Sequence, residues 1–335
     1  MGEFDLIERY FKAPARAMQF NEAVALGIGD DCALLQPAAG MQLAISSDML
    51  VEGRHFFADV EPFTLGHKAL AVNLSDLAAC GAKPLAFTLA LSLPKVDEAW
   101  LASFSRGLLA LAAEHNCSLI GGDTTQGPLN MCITVFGEVP KQQALLRSGA
   151  QAGDDIYVSG TLGDARLALE VLRGNLTLPD DAFAAAKARL ETPTPRVALG
   201  MALRGIASSA IDVSDGLLGD LGHILKQSQV GAVIDASVIR HLNAIDLIAI
   251  KSINTPANAI FNHKLLLAYI LSGGDDYELA FTAPLSQRQA VQAAALASNT
   301  TVTRIGQIEA ELGLRLVDAK GQSMPNNFGS WDHFK

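Results

Sequence analysis

Positive charge is scarce in this sequence. Its 335 residues carry 25 Lys and Arg against 35 Asp and Glu, a formal net charge of −10 with a pI near 5.1. Nucleic acids and anionic membrane surfaces are met by positive footprints, so both are excluded as general partners. At this level phosphate ligands look disfavoured too. Long hydrophobic runs are absent: the most apolar stretch, Leu85–Leu93, is about half the ~20 residues of a membrane helix and is interrupted by Thr88 and Ser92. Cysteine is sparse and scattered. Cys32, Cys80, Cys117 and Cys132 form no Cys-x-x-Cys pair and have no His at zinc spacing, which reads as four buried small hydrophobes in a reducing compartment. The start, Met1-Gly2-Glu3-Phe4-Asp5, lacks the basic-then-apolar order of a secretory signal. A cytoplasmic protein is expected. Equally missing are the phosphate devices Gly-x-x-x-x-Gly-Lys-Ser/Thr and Gly-x-Gly-x-x-Gly, and any kinase catalytic-loop signature. Any nucleotide would have to be held by a less common architecture.

What is present is a globular chain: 50% hydrophobic and only 18% charged, long enough for two domains. Short apolar runs predict strands at Cys32–Leu35, Gln42–Ser46, Leu85–Leu93, Cys117–Ile120, Asn130–Val139 and Asp155–Ser159. Helical spacing predicts helices over Thr64–Ala82, closed by Lys83-Pro84, over Asp97–Asn116 with an acidic cap, and over Gly163–Arg173. A strand-turn-helix follows at Ala210–Gln229. The polar connection Pro140–Gly153 marks a boundary between domains 1–140 and 141–335. Alternating strands and helices predict mixed α/β layers.

Acidic residues gather in apolar or Gly-rich surroundings rather than on solvated helix faces. The clusters are Gly29-Asp30-Asp31, Ser46-Ser47-Asp48, Asn73-Leu74-Ser75-Asp76, Gly121-Gly122-Asp123, Asp212-Val213-Ser214-Asp215-Gly216 and Gly273-Gly274-Asp275-Asp276. All but Asp76 fall at expected ends of strands or turns, while Asp76 lies on a helix, sharing a face with Asn73. Each cluster has a plain structural reading. Asp123 suits a turn, Asp30-Asp31 an Asx turn, and Ser214-Asp215-Gly216 a cap for the helix beginning near Leu217. Jointly, Asp flanked by Ser or Thr supplies the hard oxygens that Mg²⁺ takes. Carboxylates converging without a cation would raise one another's pKa, so convergence would imply metal. Gly160-Thr161-Leu162-Gly163, a small-residue turn before a helix, gives only a weak anion signal.

Read in order, Gly27-Ile28-Gly29-Asp30-Asp31-Cys32, Ser47-Asp48-Met49-Leu50-Val51-Glu52-Gly53-Arg54-His55-Phe56, Asn73-Leu74-Ser75-Asp76-Leu77, Gly121-Gly122-Asp123-Thr124-Thr125, Arg147-Ser148-Gly149-Ala150, Asp212-Val213-Ser214-Asp215-Gly216, Ser272-Gly273-Gly274-Asp275-Asp276-Tyr277 and Trp331-Asp332-His333-Phe334 resemble the thiamine-monophosphate kinase family. That family belongs to the superfamily of aminoimidazole ribonucleotide synthetase and selenophosphate synthetase. The resemblance spans nearly the whole chain. It implies a two-domain fold with an N-terminal mixed sheet and a homodimer built through that domain. The implied activity is ATP-dependent phosphorylation of thiamine monophosphate to thiamine diphosphate, the last step of that cofactor's biosynthesis. By motif, Asp31, Ser46, Ser47, Asp48, Asp76, Asp123, Asp212 and Asp215 would be magnesium ligands. Gly122, Asp123, Arg147 and Ser214 would contact ATP, and His55, Asp275 and Trp331 would face thiamine phosphate. Asp48, Asp76 and Arg147 would carry the transfer. The chain departs from the family where Asp275 replaces a commoner Glu, and where Cys80 and Gln126 stand for Met and Arg.

The implied chemistry is coherent. A phosphate monoester is largely dianionic at pH 7 and needs no strong base. The difficulty is aligning two polyanions, since two charges about 4 Å apart repel by roughly 4 kcal/mol at an effective dielectric near 20. Positioning and charge stabilisation therefore dominate. Trp331 would offer a π face to the thiazolium cation. Two other readings stay open: another ATP-dependent member of the superfamily, acting on a formyl-amidine or a selenide, and a non-catalytic nucleotide-binding module. The His55 and Trp331 contexts and the lack of an N-terminal reactive Cys speak against the former. Removing Asp30, Asp31, Asp48, Asp76, Asp123, Asp212, Asp215, Asp275 and Asp276 takes the formal charge from −10 to −1. The net acidity is thus a local store of carboxylates, which through a bound cation would attract phosphate rather than repel it.

Overall fold

The computed structural model describes residues 2–18, 21–239, 242 and 263–329. The chain divides into two compact units, Met1–Leu77 with Ala82–Ala144, and Ala78–Gly81 with Leu145–Lys335. In chain order the first part contains α1 (Glu3–Ile7), α2 (Ala13–Ala17), β1 (Val24–Leu26), β2 (Leu34–Leu35), β3 (Met41–Val51), α3 (Pro62–Ala79), β4 (Lys83–Leu93), α4 (Glu98–Glu114), β5 (Ser118–Gln126) and β6 (Asn130–Pro140). Its main sheet has the order β3-β6-β4-β5, with β4 and β5 parallel and the other neighbours antiparallel. β4 is the buried strand its sequence predicts, with Phe87, Leu89 and Leu91 in the core.

Two strands run further than their apolar runs. β3 continues through Ser46-Ser47-Asp48 to Val51, because each residue from Met41 to Val51 has a partner on β6. β5 likewise extends past Ile120 to Gln126 alongside β4. Asp48 and Asp123 therefore sit inside strands, not at their ends; ladder pairing is a property of the backbone and does not require apolar side chains. The expected strand at Cys32–Leu35 shrinks to Leu34–Leu35. α4 opens as expected on Asp97, whose carboxylate accepts from the amides of Ala99 and Trp100 at 3.1 and 3.0 Å. α3 ends earlier than Lys83-Pro84 suggests. Ala82 N donates to Leu77 O at 2.7 Å and Gly81 N to Ala78 O at 2.9 Å, a Schellman closure with Gly81 left-handed at φ +66°.

The second part contains β7 (Asp155–Ser159), α5 (Asp164–Leu172), α6 (Asp180–Glu191), α7 (Val197–Ala202), β8 (Ser209–Val213), α8 (Leu217–Ser228), β9 (Gly231–Asp235), α9 (Ala236–Ile239), α10 (His263–Ser272), β10 (Glu278–Ala283), α11 (Arg288–Ala297), β11 (Val302–Glu309), β12 (Gly313–Val317) and β13 (Ser323–Met324). Seven strands form one sheet in the order β13-β12-β9-β11-β7-β10-β8, antiparallel except for β9 beside β12. One face of it, with Ile156, Val158, Ile211, Ala280 and Ile305, forms a core with Leu167 of α5, Leu221 and Ile224 of α8 and Ile270 of α10. The mixed α/β layers are those the sequence predicts. Of the cysteines, only Cys117 is buried; Cys80 and Cys132 are half-buried and Cys32 is exposed, so the expectation of four buried thiols fails. Among the described residues no helix is long and apolar enough to cross a membrane.

Candidate active site

In the first unit the acidic residues are organised by the pleat of β3. Ser46 pairs with Val135, Asp48 with Ile133 and Leu50 with Met131, so all three lie on the face of those buried β6 residues. α3 lines this face. The Ser46 hydroxyl donates to the Asp76 carboxylate, and the Asp48 amide donates to Asn73 Oδ1 at 3.0 Å. Asn73 is buried and returns its amide to Ala69 O at 3.0 Å. Thus the Asn73–Asp76 spacing does place both on the side of α3 that meets β3. Asn73 was not among the expected site residues, yet it clamps the strand at Asp48.

Ser47 points the other way. Its hydroxyl meets Thr134 Oγ1 at 3.0 Å and donates to Ile133 O at 3.1 Å. Asp123 stands beside Ala90, Ala90 beside Cys132 and Cys132 beside Met49. This register is one residue out of step with Asp48, so the pleat sets the two carboxylates on opposite faces. Gly122 has φ +146°, and a Cβ there would lie 1.8 Å from Leu89 O, so only glycine lets β5 approach β4. Asp31 is exposed in a loop where its amide donates to Asp30 Oδ1 at 2.9 Å. His55 accepts the Val51 amide on Nδ1 at 3.0 Å, which leaves Nε2 as the protonated nitrogen of the neutral ring.

In the second unit the site is built where β8 runs into α8. Asp212 is buried on β8 beside Leu279. The turn Ser214-Asp215-Gly216 does not cap α8 with its own side chains. Asp220, in the first turn of the helix, reaches back instead: its Oδ2 accepts the amides of Ser214, Asp215 and Gly216 at 3.0, 3.1 and 3.1 Å. Burial pushes the Asp220 carboxyl up to about 7, opposed by these amide bonds and reinforced by the charge of Asp215. Ser214 O accepts the Asp275 amide and Val213 O the Tyr277 amide, both at 2.8 Å. Asp275 and Tyr277 are left-handed at φ +60° and +50°, a conformation that costs energy in non-glycine residues. The Tyr277 hydroxyl donates to Asp275 Oδ1 at 3.2 Å.

Beneath this loop lies an ionic cluster that sequence reasoning missed. Glu278 accepts Arg196 Nε and Nη2 at 2.6 and 2.5 Å, Arg189 Nη2 at 2.6 Å and the Ser159 hydroxyl at 2.5 Å. Asp276, whose carboxyl burial pushes well up, accepts the Gly163 amide on both oxygens at 2.9 and 3.0 Å. That bond consumes the weak anion signal of the Gly160–Gly163 turn.

Arg147 is exposed, and its loop is tied to the far end of α8: the Ser228 hydroxyl accepts the amides of Gly149 and Ala150 at 3.1 and 3.2 Å and meets Arg147 O at 3.3 Å. A helix of 12 residues is about 18 Å long. The backbone of Arg147 thus lies by the opposite end of α8 from Ser214. Trp331 lies outside the described residues.

The donors fit a hard cation. Ser46, Asp48 and Asp76 in one unit, and Asp212 and Asp215 in the other, offer only oxygen. Among the described residues no three His, Cys, Asp or Glu side chains gather closely enough to hold a metal alone. Mg²⁺, which keeps waters and takes phosphate oxygens, does not require a cage made of protein alone.

A two-part α/β chain with paired Ser/Asp sites defines a class. Residues 29–139 match the family described as AIR synthase related protein, N-terminal domain, and residues 151–319 its C-terminal domain. The thiamine-monophosphate kinase of Escherichia coli (strain K12) is 47% identical over 335 residues, covering 99% of this chain and 98% of that one. The crystal structure of thiamine-monophosphate kinase from Stenotrophomonas maltophilia K279a superposes with a TM-score of 0.83 at 44% identity, covering 97% and 98% of the two chains. AaThiL, complexed with AMPPCP and TMP, gives a TM-score of 0.72 at 27% identity over 99% and 97%. The chain belongs to the thiamine-monophosphate kinase family within the AIR synthase-related proteins.

Proposed function

We propose that the chain transfers the γ-phosphoryl group of ATP to the phosphate of thiamine monophosphate, releasing thiamine diphosphate and ADP, by direct in-line attack. The observation that carries this reading is the full-length identity with thiamine-monophosphate kinases, joined to ordered Ser/Asp oxygen sites in each unit. The acceptor oxygen needs no base at neutral pH, so the protein's task is alignment. We assign Ser46, Asp48, Asp76, Asp212 and Asp215 as side-chain magnesium ligands, with Asp31 and Asp123 as further carboxylates at the loop and on the opposite sheet face. Ser47, whose hydroxyl bonds to β6, belongs to the set as a further oxygen donor. Bound magnesium would supply charge neutralisation between the two phosphate chains. We assign His55 to the phosphate end of thiamine monophosphate and Asp275, held in a strained loop, to its cationic organic end. Gly122 and Ser214 are assigned to nucleotide binding, and Arg147 to a nucleotide contact.

The homodimer belongs to this proposal. Leu43, Ile45 and Met49 are 44%, 60% and 53% exposed on one face of β3, an apolar stripe suited to a second copy. A cytoplasmic location belongs to the same proposal. Incubation with ATP, Mg²⁺ and thiamine monophosphate, scored chromatographically, is expected to yield thiamine diphosphate. Folded protein that binds nucleotide and gives no product would instead favour the non-catalytic module.

A further inference from the structure

We propose that Asp220 is a positioning residue of the phosphoryl-transfer site: its side chain fills the anion nest at the start of α8 from within, and so fixes Ser214 and Asp215 for a magnesium nucleotide. The inference rests on the function proposed above.

A helix N-terminus leaves amides without intrahelical partners and ordinarily attracts anions. At α8 one carboxylate oxygen already takes three consecutive amides, those of Ser214, Asp215 and Gly216. Asp220 is buried, so no wide solvent path competes for that oxygen. An oxygen accepts these N–H groups whether or not the carboxyl is ionised, and the arrangement does not depend on its protonation. Gly216 locks the turn: its φ is +114°, and a Cβ there would come within 2.9 Å of the Ser272 backbone. The restraint extends further, because Ser214 O holds the Asp275 amide at 2.8 Å. One buried side chain thus sets the nucleotide-side residues directly and the substrate-side loop through a single hydrogen bond. Ahead of α5, Asp276 takes a single amide, that of Gly163. With the three turn amides of residues 214–216 taken from inside, those amides are not the phosphate receptors. Asp212 and Asp215 would hold the magnesium, which would supply the positive charge that the phosphates need.

Hydrogen exchange on the wild-type chain tests this without any substitution. The amides of residues 214–216 are expected to be protected in nucleotide-free protein and unchanged by Mg²⁺ with AMPPCP. Free exchange that becomes slow only on adding the nucleotide would make them phosphate ligands and overturn the proposal. Asp220→Ala gives a second reading. Its Mn²⁺ affinity, followed by electron paramagnetic resonance, is expected to fall about 10–100-fold. Formate, which replaces the missing carboxyl group, is expected to restore it where chloride at equal ionic strength does not. Ile224→Val, a core change on the same helix, serves as the stability control and is expected to keep its Mn²⁺ affinity. Wild-type Mn²⁺ affinity in Asp220→Ala overturns the role of Asp220; if that variant does not fold, the exchange experiment decides alone. Failure of the wild type to make thiamine diphosphate would end the proposed function while leaving the exchange result standing, so the two are distinguishable.

Discussion

Replacing Glu278 by Gln removes one buried charge and almost no volume. The carboxylate is 0% exposed, and its two arginine partners, Arg189 and Arg196, are 19% and 17% exposed. Each ion pair contributes roughly 4 kcal/mol of attraction at an effective dielectric of 20. Two such pairs, about 8 kcal/mol gross, offset the several kcal/mol of desolvation that burying the carboxylate costs. The Gln variant leaves two guanidinium groups in a closed site with one neutral acceptor, a change that costs about 3–5 kcal/mol when a buried pair is broken. Arg196, whose own pKa is raised by its bonds to Glu278 against the cost of burial, cannot escape by deprotonating. Urea unfolding at pH 7 reads this directly: the midpoint should fall with little change in slope. For a domain of about 150–250 residues, each kcal/mol moves Tm by about 2–4 °C, so a drop of about 6–20 °C is expected. A loss below about 1 kcal/mol would mean that the cluster behaves like a surface ion pair and would refute the reasoning.

Three further outcomes follow from the geometry. Asp155 is buried and held below the usual carboxylate range by the Arg288 guanidinium, against the cost of burial and with help from Arg304. Its folded pKa is depressed, so its contribution is present above the unfolded value near 3.9 and lost as pH falls through the folded pKa. Asp155→Asn should therefore be less stable than wild type at pH 7, with the gap closing below about pH 4; a gap constant with pH would show that the ion pairs are not responsible. Gly122→Ala should fail to accumulate as soluble protein or lose at least about 3 kcal/mol, because its Cβ would sit 1.8 Å from Leu89 O; wild-type thermal stability would contradict the tight β4–β5 approach. Asn73→Ala removes the side-chain acceptor of the Asp48 amide and should cost about 1–3 kcal/mol, while raising the Mg²⁺ concentration needed for half-maximal turnover; an unchanged Mg²⁺ requirement would remove Asn73 from the support of Asp48.

The sequence was most legible where one signal settled one element. The acidic cap at Asp97, the apolar run Leu85–Leu93 and the strand Asp155–Ser159 needed no tertiary information. Strand ends were harder. Ser46-Ser47-Asp48 and Asp123-Thr124-Thr125 break the apolar pattern but not the hydrogen-bonded ladder, so the runs ended too early. The same misjudgement hid which carboxylates share a face, since a register cannot be read from spacing within one strand. Asp76 and Asn73, three apart on a helix, were legible as a pair because helical geometry is local. Asp220, Glu278, Arg189 and Arg196 were not. Their partners lie 4 to 119 positions away, and only an acid in the first turn of α8 hinted at Asp220.

The central claim is direct phosphoryl transfer at a site organised by Asp48. Its most direct test is one incubation of wild type and Asp48→Asn with γ-labelled ATP, Mg²⁺ and thiamine monophosphate, following where the label goes. The wild type should place the label in thiamine diphosphate with none retained on the protein. Asp48→Asn should lose turnover by about 100-fold or more, with little change in unfolding temperature and only partial recovery at high Mg²⁺. Label held by the protein after ATP alone, or wild-type turnover in Asp48→Asn, would contradict the account.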